Sequence, residues 1–192
     1  MTEAFDSKAK KILKKNKGVI NMNKNNLISD LKNFSLKNLH SRLIAFLSLF
    51  IAFTAIATYI RIPGVHAQYY NLGEAAIYTL ALVFGSKVGA VAGAAGSAIV
   101  DIIVAPIWAP FTFIIKGLEG WIVGKVSQKN NFKKNIIAII IGGHIMIIGY
   151  FLSVWLLYDW PAALMEIAGN YGQAFVGGLI ALPLSKQIQK YL

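Results

Sequence analysis

The chain has 192 residues, of which 56% are hydrophobic and only 14% are charged, and its mean hydropathy is +0.58. A soluble domain carries about 25% charged residues, so this composition excludes a disordered chain and indicates a membrane protein. The sequence contains no cysteine, which excludes a scaffold built on disulfides. We expect one compact all-α integral membrane domain, with no separate soluble catalytic module.

Positive charge is concentrated at the N-terminal end. Residues 1–42 hold 10 of the 19 Lys and Arg residues and 3 of the 8 acidic residues, whereas residues 43–192 hold 9 and 5. Beside a hydrophobic body, a basic tail favours contact with anionic lipid on the cytoplasmic side over contact with nucleic acid. The second part of the tail, residues 26–42, has apolar side chains at helical spacing, which predicts an amphipathic helix at the membrane interface.

Six apolar segments follow the tail, each close to the roughly 20 residues that a helix needs to cross the hydrocarbon core. The predicted spans are Leu43–Ile60, Tyr69–Gly85, Val88–Ala105, Ile107–Val126, Asn135–Tyr158 and Pro161–Leu184. The sequence thus divides into a basic cytoplasmic tail, 1–42, and a six-helix membrane domain, 43–192.

The connections between these segments alternate in charge. The tail, the loop after the fourth span and the C-terminus are rich in lysine, whereas the three opposite connections contain Arg61 as their single basic residue. Because basic residues mark the cytoplasmic side, this alternation predicts that both termini are cytoplasmic.

Small residues dominate the third span, where Gly89, Gly93 and Gly96 are surrounded by alanines. No Lys-Ser or Lys-Thr follows these glycines and no strand precedes them, so they do not fit a phosphate-binding loop. We expect close helix packing instead, because small residues let two backbones approach each other.

Ionisable and polar residues inside the predicted spans are the candidate ligand site, because such groups are expensive in lipid. Lys116 and Glu119 lie three residues apart on one helical face, which fits either a structural ion pair or a cavity wall. His144 fits either a packing role or a ligand contact. We place the site in the outer half of spans two to six. The candidates are Glu74, Tyr78, Asp101, Trp108, Lys116, His144, Glu166 and Asn170.

The stretch from Tyr69 to Val126 resembles the substrate-binding membrane subunit, the S component, of energy-coupling factor (ECF) vitamin transporters. The resemblance is carried by four motifs: Asn71-Leu72-Gly73-Glu74, Gly85-Ser86-Lys87-Val88-Gly89, Gly93-Ala94-Ala95-Gly96-Ser97-Ala98 with Asp101, and Thr112-Phe113-Ile114-Ile115-Lys116-Gly117-Leu118-Glu119-Gly120. Within the family, the stretch is most similar to members whose assigned ligand is hydroxymethylpyrimidine, the thiamine precursor, or pyridoxine. Riboflavin is less attractive, because it is larger and the predicted site has few polar groups.

The resemblance implies a subunit that captures a vitamin from outside and docks on a membrane scaffold with two cytoplasmic ATPases. The sequence has no Walker motif, so no ATP cofactor is expected in this chain and ATP use would lie in the partners. In this family the first span presents small residues to the scaffold. Here Ser48, Ala52 and Ala55 are the candidates for that docking face.

Two other classes of function are weighed against this one. An intramembrane enzyme needs a nucleophile with a base, or a metal pair, and neither arrangement has a recognisable motif here. An autonomous secondary transporter would be expected to show inverted repeats and more than six spans. Neither a catalytic residue nor a metal ligand is therefore proposed.

Overall fold

The computed structural model describes residues 27–35, 39–63 and 69–192. Within the described residues, six helices of 12 to 32 residues are arranged as one bundle. They are α1 (Ser41–Tyr59), α2 (Gly73–Phe84), α3 (Ser86–Val104), α4 (Ala109–Val126), α5 (Phe132–Leu157) and α6 (Trp160–Tyr191). A 3-10 turn, Pro106–Trp108, joins α3 to α4. The all-helical class expected from the sequence is confirmed.

Local sequence signals explain where several helices begin. Asn131 caps α5 by accepting a hydrogen bond from the Lys134 amide at 3.0 Å, and Asp159 caps α6 by accepting one from the Ala162 amide at 2.8 Å. Gly85 separates α2 from α3 with a φ of 89°, a conformation that glycine adopts without steric strain.

The second apolar segment was predicted to be one helix over Tyr69–Gly85, but the structure divides it into a strand and a helix. Its first residues form strand β2 (Tyr69–Asn71), which pairs antiparallel with β1 (Arg61–Pro63). The helix starts only at Gly73 and has 12 residues, so it is about 18 Å long against a hydrocarbon core of about 30 Å. The two strands of the hairpin satisfy each other's backbone hydrogen bonds. The helical spacing of apolar residues did not indicate that a strand would precede the helix.

Three described helices are long and apolar enough to cross a membrane by length and composition: Ser41–Tyr59, Ser86–Val104 and Phe132–Leu157. The 12-residue α2 is too short for that criterion, and α4 carries Lys116, Glu119 and Lys125. A membrane protein with several apolar helices is therefore supported, while the number of spans and their orientation remain predictions.

Part of the basic tail packs on the bundle. Residues 27–33 are helical, and Leu31 is buried in a cluster with Leu43, Leu47 and Val88. Lys87 donates a hydrogen bond to the backbone carbonyl of Phe34. Residues 1–26 lie outside the described residues, and the position of this helix at a membrane interface stays a prediction.

Helices α3 and α4 meet at glycines, as the small residues of the third span predict. A Cβ atom added at Gly120 would lie 2.2 Å from the Gly89 carbonyl oxygen, and one at Gly93 would lie 2.5 Å from that of Lys116. Backbone thus packs directly on backbone, and the prediction of close packing is confirmed.

We expect Gly120→Ala to destabilise the protein by about 1–3 kcal/mol, because overpacking forces the two backbones apart. Thermal melting in detergent measures the effect. Gly117→Ala on the same helix is the control: its Cβ would lie 3.2 Å from the Ala94 side chain and 3.8 Å from the nearest backbone atom. Equal melting temperatures for the two variants would contradict the close contact.

Candidate functional site

A cavity of about 470 Å³ opens at the end of the bundle that holds the β-hairpin and the 3-10 turn. This volume lies within the usual range for small-molecule sites. The hairpin, the 3-10 turn and helices α1 to α6 contribute to its lining. The lining residues are Thr58, Arg61, Tyr70, Asn71, Gly73, Glu74, Ser97, Asp101, Trp108, Thr112, Lys116, Tyr150, Val154, Ala162, Met165, Glu166, Gly169, Asn170 and Gln173.

The hairpin is held against the ends of α1 and α2 by a tight corner. The Asn71 side chain accepts a hydrogen bond from the Gly73 amide at 2.8 Å. A Cβ atom at Gly73 would lie 2.6 Å from the Thr58 hydroxyl and 2.7 Å from the Asn71 side-chain oxygen, so only glycine fits there. This corner brings Arg61, opposite Asn71 in the hairpin register, to the rim of the cavity.

A buried charge network forms the deep wall. Lys116 donates hydrogen bonds to Glu74 and, at 3.0 Å, to Glu119. The Tyr78 hydroxyl donates to the other oxygen of Glu119 at 2.7 Å. Glu74 and Glu119 are fully buried and Lys116 is 5% exposed, so each charge depends on its partners. Lys116 forms an ion pair with Glu119 and also lines the cavity. Its contact with a ligand stays a prediction.

Several buried polar atoms along the lining have no hydrogen-bond partner among the described residues. These atoms are Thr58 Oγ1, Glu74 Oε2, Ser97 Oγ and Asn170 Nδ2. An unpaired buried polar group costs about 1–3 kcal/mol, so native interiors seldom keep several together. All four residues line the same cavity, which makes it the candidate site for a bound polar molecule.

Aromatic rings form the remaining wall. Trp108 stacks on Tyr158 with a centroid distance of 6.1 Å, and its ring centroid lies 6.3 Å from that of Tyr150. The Lys116 ammonium lies 5.3 Å from the Tyr150 ring centroid, and the Tyr150 hydroxyl is 3.0 Å from that of Thr112. The site therefore offers both flat apolar surfaces and hydrogen-bonding groups.

Helix α6 supplies a polar stripe to the cavity. Glu166, Asn170 and Gln173 lie four and three residues apart and all line it, as the spacing of one helical face requires. Asn170 is 9% exposed, and Glu166 is half-buried. The polar cavity that this run of side chains predicts is present.

The structure brings most of the candidate residues together. Those that line the cavity are Glu74, Asp101, Trp108, Lys116, Glu166 and Asn170. Tyr78 does not line the cavity, and its hydroxyl bonds to Glu119 behind the lining.

His144, one of the candidate ligand residues, does not line the cavity. It sits on an exposed face of α5, where its Nδ1 is 2.7 Å from the Ile140 carbonyl oxygen and its Nε2 is 3.2 Å from the Tyr171 hydroxyl. The helix turns Tyr150 inward instead, and six residues rotate the side-chain direction by about 120°. Both ring nitrogens of His144 are thus satisfied away from the site.

Sequence reasoning missed several lining residues because single hydroxyls and hairpin residues give weak signals. Ser97 and Thr112 each precede a candidate, Asp101 or Lys116, by four residues, which places both on the same helical face. That spacing could have found them. Nothing in the sequence indicated Thr58, whose role depends on the hairpin that folds over it.

The predicted docking residues lie on the outer side of α1. Ser48 and Ala52 are exposed and Ala55 is half-buried, whereas Leu47 and Thr54 point into the bundle. The stripe is therefore accessible to another chain. Its use as a docking face stays a prediction.

Comparison with known proteins places this geometry in a context. The family model for the ECF-type riboflavin transporter S component matches residues 38–190. A Pyrococcus woesei protein that bears the name "Uncharacterized protein in gap 3'region" is 37% identical over 143 residues. The match covers 71% of this chain and 97% of that protein. The thiamine precursor transporter HmpT of Lactococcus lactis subsp. cremoris strain MG1363 is 28% identical over 131 residues, or 67% of this chain and 75% of HmpT.

Proposed function

The chain belongs to the family of ECF-type riboflavin transporter S components, a transporter family and not an enzyme family, and we propose that its ligand is hydroxymethylpyrimidine or pyridoxine. It is a vitamin- or precursor-binding transporter subunit of the membrane. In our proposal it captures this small aromatic ring from outside the cell, in the cavity between the hairpin and the six helices.

The observation that carries the ligand proposal is the set of buried, unpartnered polar atoms beside an aromatic wall. Glu74, Ser97 and Asn170 line the cavity, and each has a buried polar atom without a hydrogen-bond partner among the described residues. Trp108 supplies a flat surface. A small ring with amino and hydroxymethyl groups matches both features, because its face can stack while its edge hydrogen-bonds.

The choice between ligands uses the relatives. HmpT is named a thiamine precursor transporter, which favours hydroxymethylpyrimidine, whereas the family model carries the name of riboflavin. Riboflavin was disfavoured because few polar groups were expected in the site. That expectation is wrong, since polar side chains make up most of the cavity lining. Riboflavin is therefore tested beside the two smaller rings.

Calorimetry on the purified protein tests the ligand and the site together. We expect hydroxymethylpyrimidine or pyridoxine to bind, and Asn170→Ala to weaken binding about 10- to 100-fold, by loss of roughly 1–3 kcal/mol of hydrogen bonding. Tyr171→Phe is the matched control, because this neighbouring side chain is exposed and pairs with His144 outside the cavity. Unchanged affinity in Asn170→Ala, with normal melting, would mean that the site lies elsewhere.

In the proposed transport cycle this chain supplies the ligand and its partners supply the energy. The partners are an ECF scaffold subunit in the membrane and two cytoplasmic ATPases. The stripe of Ser48, Ala52 and Ala55 is the proposed contact with the scaffold, because small side chains permit close helix approach.

The proposed topology has six membrane-crossing segments with both termini cytoplasmic, in a bacterial plasma membrane. The chain has no cysteine, so single cysteines introduced at Lys129 and at Asp159 are clean reporters. We expect a membrane-impermeant thiol reagent to label Asp159→Cys in intact cells and Lys129→Cys only after the membrane is opened. Labelling of both positions from the same side would contradict this topology.

A further inference from the structure

The charges around the cavity do not balance. Among the described residues, its lining contains two basic side chains, Arg61 and Lys116, and three carboxylates, Glu74, Asp101 and Glu166. Glu119 lies directly behind the lining and shares Lys116 with Glu74. Four carboxylates thus face two cations.

Among the described residues, the ion pairs of the network provide no counter-charge for Glu166. Lys116 is committed to Glu74 and Glu119, and none of the ion pairs between described residues includes Glu166. Glu166 is half-buried, so solvent compensates its charge only in part.

Two further residues of the same cavity lining carry buried polar groups that a ligand could pair. Among the residues that the structure describes, the second oxygen of Glu74, a fully buried residue, has no hydrogen-bond partner, and neither does the amide nitrogen of Asn170, which is 9% exposed. Asn170 follows Glu166 by one helical turn on the cavity wall. A hydrogen-bond acceptor with negative charge and an unpaired donor therefore lie on adjacent turns of α6.

We propose that the cavity binds its aromatic ligand as a cation and that Glu166 is the residue that selects the positive charge. The proposal rests on the proposed function and narrows its ligand class. A ring nitrogen takes a proton from solvent, and the resulting N–H donates to the Glu166 carboxylate. Asn170 donates to a second acceptor on the ring, and the Trp108 wall favours a cationic ring further.

This chemistry separates the candidate ligands. Hydroxymethylpyrimidine and pyridoxine each have a basic ring nitrogen that can carry a proton and donate it to a carboxylate, whereas the riboflavin ring system has no nitrogen that is protonated near neutral pH. A neutral ligand would leave the excess negative charge of the cavity uncompensated, and such charge is expensive away from water.

The proton taken up by the ligand is measurable. Calorimetry with hydroxymethylpyrimidine at pH 8, in two buffers of different ionisation enthalpy, should report close to one proton absorbed per ligand bound. Affinity should fall by up to about tenfold per pH unit as pH rises above the range where the free ring is protonated, because binding must then supply the proton. Binding with no proton uptake and no pH dependence would overturn this inference and leave the proposed function standing.

The titratable side chains of the cavity lining are the alternative acceptors for that proton. Besides the carboxylates and cations already named, they are the phenols of Tyr70 and Tyr150. Glu166→Gln distinguishes ligand from carboxyl protonation, because glutamine mimics a protonated glutamate. A cationic ligand predicts that this variant loses both the proton uptake and at least tenfold in affinity at pH 8.

A different outcome assigns the proton to the protein. If Glu166→Gln binds hydroxymethylpyrimidine at pH 8 as tightly as the wild type does at pH 6, the carboxyl carries the proton and the inference is overturned. Asp159→Asn is the matched control, since it removes one charge at the start of the same helix while an amide oxygen still caps α6. Its proton uptake should stay at the wild-type value.

Failure of hydroxymethylpyrimidine to bind at any pH would overturn both the inference and the choice of this ligand. Pyridoxine binding would then decide whether the proposed function survives.

Discussion

Lys116→Met should destabilise the folded protein by about 3–5 kcal/mol, the largest effect that we expect from a single substitution. Lys116 is the one described cation bonded to the buried carboxylates of Glu74 and Glu119, and methionine leaves both charges uncompensated. Breaking a buried ion pair from one side has a cost of this size. Thermal melting in detergent, followed by the monodisperse fraction after extraction, measures it.

Two further variants show that the effect comes from charge. Lys125→Met removes a lysine from an exposed position on the same helix, and we expect it to melt close to the wild type. Adding Glu74→Gln and Glu119→Gln to Lys116→Met should recover much of the loss, because no unpaired charge then remains in the network. A Lys116→Met protein as stable as Lys125→Met would contradict the network.

Ala52→Trp should abolish ATP-driven uptake and leave ligand affinity unchanged. Ala52 is exposed on α1 and lies outside the cavity lining, so a large ring there does not reach the site. It would block close approach of a second helix. Uptake is measured in cells that carry the coupling subunits, and affinity is measured on the isolated chain.

Phe53→Trp is the matched control, because Phe53 is already large and is 47% exposed about 100° round the same helix. We expect it to transport normally. Uptake by Ala52→Trp at the wild-type level would place the contact elsewhere. Uptake by this chain without any partner, driven by an ion gradient, would favour the autonomous transporter instead.

The helices were predictable where apolar periodicity decides the structure. The predicted spans Leu43–Ile60 and Asn135–Tyr158 lie within three residues of α1 and α5 at both ends. The prediction failed at Tyr69–Asn71, because the pairing of these residues with Arg61–Pro63 is a tertiary interaction that short apolar runs do not encode.

Residues of the candidate site were predictable where a polar side chain lies inside an apolar helix, because burying it in lipid costs free energy unless it has a function or a partner. Glu166 and Asn170 were predicted as site residues for this reason, and both line the candidate cavity. This argument did not find the bond between Glu74 and Lys116, because these residues are 42 positions apart and no local spacing relates them. His144 met the same criterion, yet it satisfies itself with Tyr171 outside the cavity.

The most direct test of the account is mass spectrometry of the small molecules that co-purify with the detergent-extracted wild-type protein and with Asn170→Ala. We expect hydroxymethylpyrimidine or pyridoxine in about equimolar amount with the wild type, and its loss from Asn170→Ala, whose weaker site would release it during purification. A flavin bound to the wild type, or the same vitamin bound equally to both proteins, would contradict a small-ring site on the Glu166–Asn170 wall.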